Sequence, residues 1–210
     1  MIPVLHVITT DAVLRSPDFV PAATRVLRAA GTRGALHLRG GELPARELLR
    51  LAEALRPVAA ACGAWLVVND RLDVALAACV TGVQLTTHSL GVAEARRLAP
   101  TLRVGASVHG AGAAALAAAE GADWLVAGHV HPTASHPGAP GRGVAFVRDV
   151  CATAYPVPVV AIGGVRPTDV PALRAAGATG VAVIRGVWGA RDAEQAVTDY
   201  LSAHDADPDG

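Results

Sequence analysis

Three histidines lie in segment 128–143, which is rich in glycine and proline. His129 directly follows the apolar run Trp124–Ala127, whereas His131 and His136 lie further along the segment. A histidine side chain can give or take a proton at neutral pH, because its ordinary pKa is about 6.5. His129 is therefore a candidate for proton transfer, and the alternative is a histidine that only fills the loop. We expect the segment to form a lid over a site.

Histidine-rich loops can also bind metal ions. Here no carboxylate accompanies the histidines, and they do not have the spacing of metal ligands on one helix. We therefore predict neither a metal site nor a cofactor.

Two further apolar runs end in residues that suit an anion. Gly163 and Gly164 come directly after Val159–Ile162, and Arg185 follows the run that ends at Ile184. Glycine lets main-chain N–H groups approach an anion closely, and arginine can add a charged hydrogen bond. We predict that Gly163, Gly164, Ile184 and Arg185 bind phosphate. The alternatives are a tight turn without a ligand and an arginine that faces solvent.

The elements that must position these residues are eight short apolar runs, which alternate with longer segments of helical period. This pattern predicts parallel strands buried on both faces. Eight βα units of roughly 25 residues each make a single (βα)8 TIM barrel of the α/β class. A doubly wound open sheet is the alternative, although no Gly-x-Gly-x-x-Gly follows the first strand. The predicted strands are Val4–Ile8, Gly34–Leu38, Trp65–Val68, Gly82–Leu85, Arg103–Ser107, Trp124–Ala127, Val157–Ile162 and Gly180–Ile184.

We predict one barrel domain over residues 1–203 and a short, acidic, disordered tail over 204–210. In barrels of this kind the active site lies at the carboxyl ends of the strands. The polar residues that follow the predicted strands are therefore candidate substrate-binding residues. They include Arg39, Asn69, Ser107 and His109.

Composition excludes several classes of function. The formal net charge is zero, which argues against nucleic acid or an anionic membrane as a partner. All basic residues except the histidines are arginines, so a Schiff-base lysine is impossible. Three widely spaced cysteines predict reduced thiols, and the amino-terminal residues do not form a secretory signal. We expect a cytoplasmic protein, and the sequence leaves open a homo-oligomer.

Six segments form a set that is specific when taken together: 66–75, 104–109, 128–133, 138–144, 161–165 and 180–184. They include the motifs Val-Asn-Asp-Arg, Gly-Ala-Ser-Val-His, Gly-His-Val-His-Pro-Thr and Ile-Gly-Gly-Val. Together they resemble the thiamine phosphate synthase/TenI superfamily over nearly the whole chain. The resemblance implies a (βα)8 barrel with a small phosphorylated thiazole as the substrate, and it adds Thr133 and His136 to the substrate-binding candidates.

The superfamily implied by this resemblance has two main branches. Its synthases join a pyrimidine diphosphate to a thiazole phosphate and need magnesium. This chain keeps their Arg39 and Asn69–Asp70 but has Gly41 and His136 in place of two lysines, and Ser89 or a neighbour in place of a metal-binding aspartate. These departures remove much of the charge that displacement of diphosphate requires.

The TenI-like branch has histidine where synthases have proline, in the pattern Gly-His-Val, and His129 occupies that position. The resemblance implies that this histidine moves a proton while a thiazole carboxylate phosphate becomes aromatic, with Arg39 holding the carboxylate. A second basic residue is common near position 41 in that branch, and here it is Gly41. We therefore predict an isomerase, a thiazole tautomerase of thiamine biosynthesis. The alternatives are an atypical thiamine phosphate synthase and a non-catalytic regulatory protein that binds a phosphorylated ligand on the same barrel.

Overall fold

The computed structural model describes residues 1–133 and 138–206. Eight parallel strands pair in sequence order, and the last pairs with the first to close a barrel. The strands are β1 Leu5–Ile8, β2 Gly34–Leu38, β3 Trp65–Asn69, β4 Gly82–Leu85, β5 Arg103–Val108, β6 Trp124–Gly128, β7 Val159–Ile162 and β8 Gly180–Val183. The predicted (βα)8 barrel is confirmed.

Helices follow the strands and cover the outside of the barrel. They are α1 Asp11–Leu14, α2 Phe19–Ala30, α3 Ala45–Cys62, α4 Leu72–Ala77, α5 Val92–Leu98, α6 Ala111–Ala119, α7 Gly143–Ala154, α8 Val170–Ala175, α9 Arg185–Trp188 and α10 Ala193–Asp205. Short 3-10 turns occupy Gly31–Arg33 and Pro167–Asp169. Within the described residues no helix has both the length and the hydropathy needed to cross a membrane.

Six of the eight strands differ from their predicted bounds by one or two residues, and two of these differences have a local reason. Strand β7 begins at Val159 rather than Val157, because Pro158 has no N–H to donate to the sheet. Strand β8 ends at Val183, because Ile184 leaves the extended conformation and caps α9.

The last helix runs past residue 203, where the sequence predicts the end of the barrel domain. Helix α10 continues to Asp205, whose carboxylate accepts hydrogen bonds of 2.8 and 2.6 Å from the Arg33 guanidinium. This contact ties the end of the helix to the turn that precedes β2. Residues 207–210 of the predicted tail lie outside the described residues.

Two apolar clusters hold the barrel together. The larger lies between the strands and the helices, and the smaller fills the barrel itself around Trp124. Strand β5 has glycine at position 105, where a Cβ atom would overlap the Trp124 ring. The missing side chain on β5 therefore makes room for the indole of β6 inside the barrel.

Candidate active site

A pocket of about 730 Å³ opens at the carboxyl ends of β6, β7 and β8. Several predicted site residues line it. They are His109, His129, Thr133, Gly163, Gly164, Ile184 and Arg185. The pocket lies where parallel barrels place their substrates, because the loops that follow the strands meet there.

His129 lies in the wall of this pocket and is 7% exposed. Its Nε2 lies 3.1 Å from the carbonyl oxygen of Pro140. A carbonyl oxygen only accepts hydrogen bonds, so Nε2 carries the proton in the neutral ring and Nδ1 is the basic nitrogen. The neutral ring is therefore held in one tautomer by the segment that begins at residue 138, where the described residues resume.

His109 is a second histidine in the pocket wall, at the end of β5. Its Nδ1 donates to the carbonyl oxygen of Gly128 at 2.9 Å, which leaves Nε2 as its basic nitrogen. The Arg142 guanidinium donates to the carbonyl oxygen of His109, and the Arg142 main-chain N–H donates to that of His129 at 3.0 Å. Arg142 therefore links the main chains of the two pocket histidines.

The expected lid is anchored in its second half. Besides the two bonds from Arg142, the N–H of Gly143 donates to the carbonyl oxygen of Val130 at 2.9 Å. A Cβ atom at Gly141 would lie 2.5 Å from the same Val130 oxygen, so glycine permits this close approach. His136 lies outside the described residues, and its predicted contact with substrate remains a prediction.

The glycine pair after β7 packs directly against the loop after β6. Gly163 and Gly164 have φ values of 109° and 66°, a backbone region that favours glycine. A Cβ atom at Gly163 would lie 2.5 Å from that of His129, and one at Gly164 would lie 2.9 Å from that of His131. The two glycines therefore let the loop after β7 pack directly against the Cβ and main-chain atoms of His129, the candidate catalytic histidine.

The amides of this region point to an anion. Among hydrogen bonds between described residues, the N–H groups of Gly164, Arg185 and Gly186 have no acceptor. These groups belong to two neighbouring loops that line one pocket. Uncommitted amides of residues that line one pocket can bind a phosphate.

Tyr200 of α10 joins the two loops from below. Its hydroxyl donates to the carbonyl oxygen of Val165 at 2.8 Å, and a Cβ atom at Gly186 would overlap that hydroxyl. Burial, with Asp169 adding to it, raises the pKa of Tyr200 to about 12, so the phenol stays protonated and donates. Tyr200 thereby fixes the distance between the loops after β7 and β8.

Three predicted residues do not line this pocket. The Arg39 side chain is exposed, Asn69 is buried at the end of β3, and the Ser107 hydroxyl accepts a 3.1 Å hydrogen bond from the Gln84 side chain. They lie on strands β2 to β5, on another side of the barrel mouth from the glycine pair. The sequence places all of them at strand ends, but it does not say which strand ends share one cavity.

Three polar residues of the pocket wall, Thr10, Arg166 and Tyr200, are among those that were not predicted. Thr10 follows β1 by two residues, so reading the end of the first strand as well would have found it. Arg166 lies just beyond the glycine pair, in the same loop. Tyr200 belongs to the last helix, and no sequence signal links it to the site.

The residues that a magnesium site would use do not fit the ion well. One Asp70 oxygen accepts from the Thr86 hydroxyl at 2.6 Å, from the Thr86 N–H at 3.1 Å and from the Ser89 hydroxyl. Ser89 thus supplies a hydroxyl donor in the segment where the resemblance expects a second carboxylate, at Ser89 or a neighbour. Magnesium requires near-octahedral oxygen ligands, usually carboxylates. Within the described residues no group of three metal-ligating side chains comes together.

The closed parallel barrel and its pocket of amides, histidines and arginines define a (βα)8-barrel protein with a small-molecule site at the strand ends. Residues 5–187 match the family described as "Thiamine monophosphate synthase", and the chain belongs to this thiamine monophosphate synthase/TenI family of thiamine biosynthesis.

Named relatives agree with the family. The chain is 41% identical over 208 residues to the thiamine-phosphate synthase of Methanoculleus marisnigri, with 97% of each chain covered. It is 39% identical to that of Salinispora arenicola, covering 95% of this chain and 96% of the relative. The thiamine phosphate pyrophosphorylase of Pyrococcus furiosus superposes with a TM-score of 0.84 at 33% identity, covering 96% and 95% of the two chains. These relatives carry the synthase name, so they support the family and not its TenI branch.

Proposed function

We propose that this chain is an isomerase that moves a proton within a phosphorylated thiazole carboxylate and thereby makes the ring aromatic. The observation that carries the proposal is the position of His129, in the pocket wall against Gly163, with Nε2 committed to the Pro140 carbonyl. The bond leaves Nδ1 as the basic nitrogen of a neutral ring that lies beside a loop suited to phosphate.

The proposed reaction needs no redox partner. His129 Nδ1 takes the proton from the ring carbon that bears the carboxylate, and the electron pair released there moves into the ring. The exocyclic double bond then takes a proton at its far carbon from the His129 imidazolium. One histidine therefore serves as base and then as acid, and it ends in its starting form.

The substrate's two anionic groups have separate candidate partners. The amides of Gly164, Arg185 and Gly186 suit the phosphate, with the Arg185 and Arg166 side chains at the same pocket. Arg39 lies outside the cavity, at the same carboxyl-end mouth of the barrel, and no carboxylate of the described residues pairs with it, so its charge is available to the substrate carboxylate. Attraction of the substrate phosphate and carboxylate to these separate partners would orient the thiazole ring over His129.

A second candidate function is thiamine-phosphate synthase. The names of the relatives support it more directly than they support the isomerase. Arg39, Asn69 and Asp70 match the resemblance to synthases, whereas Gly41 and the Ser89 hydroxyl beside Asp70 do not. The hydrogen bonds at Asp70 weigh against a magnesium-dependent step.

Parallel assays of the purified chain separate the two functions. One follows conversion of the exocyclic thiazole tautomer in the presence of a chelator, and the other follows condensation of a pyrimidine diphosphate with a thiazole phosphate in the presence of magnesium. The proposal expects turnover in the first assay. Turnover in the second assay alone would establish the synthase, and phosphate-ligand binding without either turnover would establish a regulatory protein.

A further inference from the structure

Two histidines lie side by side inside the barrel, and neither lines the pocket. His6 and His37 are both fully buried, and Nδ1 of His6 is 2.8 Å from Nε2 of His37. At one end, Nε2 of His6 is 3.1 Å from the carbonyl oxygen of Pro3. At the other end, Nδ1 of His37 is 3.2 Å from the side-chain oxygen Oδ1 of Asn69. A continuous chain of hydrogen bonds therefore runs from the amino-terminal end of the barrel to its mouth.

Both rings are neutral. Burial disfavours the imidazolium form and lowers the pKa of His6 to about 4. Burial also holds the pKa of His37 well below its ordinary value, with the neighbouring His6 adding to the effect. The other groups that face the pair are the Trp124 ring and the Asn69 amide, and no carboxylate in the described part of the chain bonds either ring.

Because both rings are neutral, the donors and acceptors along this chain of hydrogen bonds can be assigned in one direction only. The Pro3 carbonyl only accepts, so His6 carries its proton on Nε2 and its Nδ1 accepts. His37 must then donate to His6 from Nε2, which leaves a lone pair on its own Nδ1. Asn69 can bond that lone pair only through its NH₂ group. The two ends of an amide have nearly the same shape, so the bonding partners decide which end points where. They require the two ends of the Asn69 amide to be exchanged relative to the arrangement with Oδ1 against His37.

We propose that the Pro3 carbonyl, acting through His6 and His37, holds Asn69 with its NH₂ toward the barrel interior and its oxygen toward the mouth. Asn69 is 6% exposed at the end of β3, and no other described residue bonds the remaining amide atom. Asn69 therefore presents a hydrogen-bond acceptor to a ligand, and it selects a ligand group that carries N–H or O–H. His6 and His37 are positioning residues for this selection, whichever reaction the protein catalyses.

Nuclear magnetic resonance tests the proposal without any substrate. Asn69 is the single asparagine of the chain, so selective ¹⁵N-asparagine labelling gives one side-chain NH₂ signal. At pH 7.5 we expect this NH₂ to exchange slowly with water and to show a contact with the His37 ring. In a uniformly ¹⁵N-labelled sample, the side-chain NH₂ of Gln195, which donates to Asp199 on the surface, provides the fast-exchanging comparison.

Multiple-bond ¹H–¹⁵N spectra of the histidine rings give the second readout. We expect the Nε2–H tautomer for both His6 and His37, with assignments from the His6→Gln and His37→Gln variants. An Nδ1–H tautomer or an imidazolium at either position in the wild-type chain would overturn the proposal. So would an Asn69 NH₂ group that exchanges as fast as that of Gln195.

A single substitution distinguishes the two possible orientations of the Asn69 amide. Asn69→Asp has the same shape but cannot donate to His37, so we expect His37 to take up a proton and show the imidazolium signature at pH 7.5. Unchanged neutral tautomers in the folded variant would mean that position 69 accepts in the wild type, which contradicts the proposal. Should the variant fail to fold, the wild-type spectra decide alone.

Discussion

His129 and Pro140 are joined by a 3.1 Å hydrogen bond from the imidazole Nε2–H to the carbonyl oxygen, across a connection whose middle lies outside the described residues. This bond assigns the ring a tautomer and leaves Nδ1 as the basic nitrogen. Pro140 therefore decides which nitrogen of the neutral His129 ring can take a proton.

Replacement of this histidine is the first test of the proposed isomerase. We expect His129→Ala to keep the fold and ligand binding but to lower turnover by about 10²–10⁴-fold, the usual contribution of a positioned acid–base group. His129→Asn should not restore turnover, because an amide cannot titrate near neutral pH. Steady-state kinetics and ligand titration measure both effects, and His204→Ala on α10 is the control. Wild-type turnover in His129→Ala, with loss in His109→Ala, would move the role to His109.

The glycine pair gives a prediction about binding. Gly164→Ala should weaken binding of inorganic phosphate and of substrate, because its Cβ would lie 2.9 Å from that of His131 and would shift the loop. Gly138→Ala is a matched control, because Gly138 also has a positive φ (76°) but open space around its Cβ position. Calorimetric titration of both variants with inorganic phosphate separates the effect of the loop shift from that of the backbone strain, which both substitutions introduce. Equal phosphate affinity in the two variants would remove the assignment of this loop.

Chelation tests the chemistry of Asp70 and Ser89. We expect turnover of the thiazole tautomer to be unchanged by a chelator, because the Ser89 hydroxyl occupies the place of a second carboxylate beside Asp70. Activity that disappears with chelator and returns with magnesium would favour the synthase. As a complementary test, Gly41→Lys has open space for its side chain and should leave the tautomer turnover within a few-fold of wild type.

The buried pair His6 and His37 predicts acid sensitivity. Both pKa values are lower in the folded state than in the unfolded chain, so the unfolded state binds more protons in acid. This difference contributes to the free energy of unfolding. The contribution is fully present above about pH 6.5 and falls as the pH drops toward 4. A shift of His6 from 6.5 to about 4 corresponds to about 3 kcal/mol.

Urea unfolding between pH 4.5 and 7.5 measures this dependence. The variant His6→Gln keeps a side chain that can donate to Pro3 but cannot titrate, so we expect a smaller loss of stability between pH 6.5 and 4.5 than in the wild type. An identical pH dependence in both proteins would assign the acid sensitivity to carboxylates instead.

Packing inside the barrel predicts a large effect of a small change. Gly105→Ala should lower the free energy of unfolding by about 1–3 kcal/mol or more, because its Cβ would overlap the Trp124 ring. Gly112→Ala in α6 is the opposite case, since its Cβ meets nothing within 4 Å and alanine favours the helix, so it should stabilise by about 0.5–1 kcal/mol. Chemical denaturation compares the two variants. A further change of Trp124 to leucine should recover part of the loss in Gly105→Ala.

The sequence alone determined the eight strands to within two residues, because strands buried on both faces must be apolar throughout and end where polar residues or glycines begin. It also placed His129, Gly163 and Arg185 at the carboxyl ends, since all parallel strands of a closed barrel end at the same mouth. These are local properties of pattern and direction, and they need no knowledge of what touches what.

Only the tertiary structure decided which strand ends share a cavity and which nitrogen of each histidine carries the proton. Tyr200 reaches the loops after β7 and β8 from a helix that begins ten residues after β8 ends, and Arg39 lies outside the cavity although it follows a strand as closely as His129 does. The orientation of Asn69 depends on Pro3, which is 66 residues earlier in the chain. Hydrogen bonds and close packing depend on distances in space. Closure of the barrel sets these distances without leaving a pattern in the local sequence.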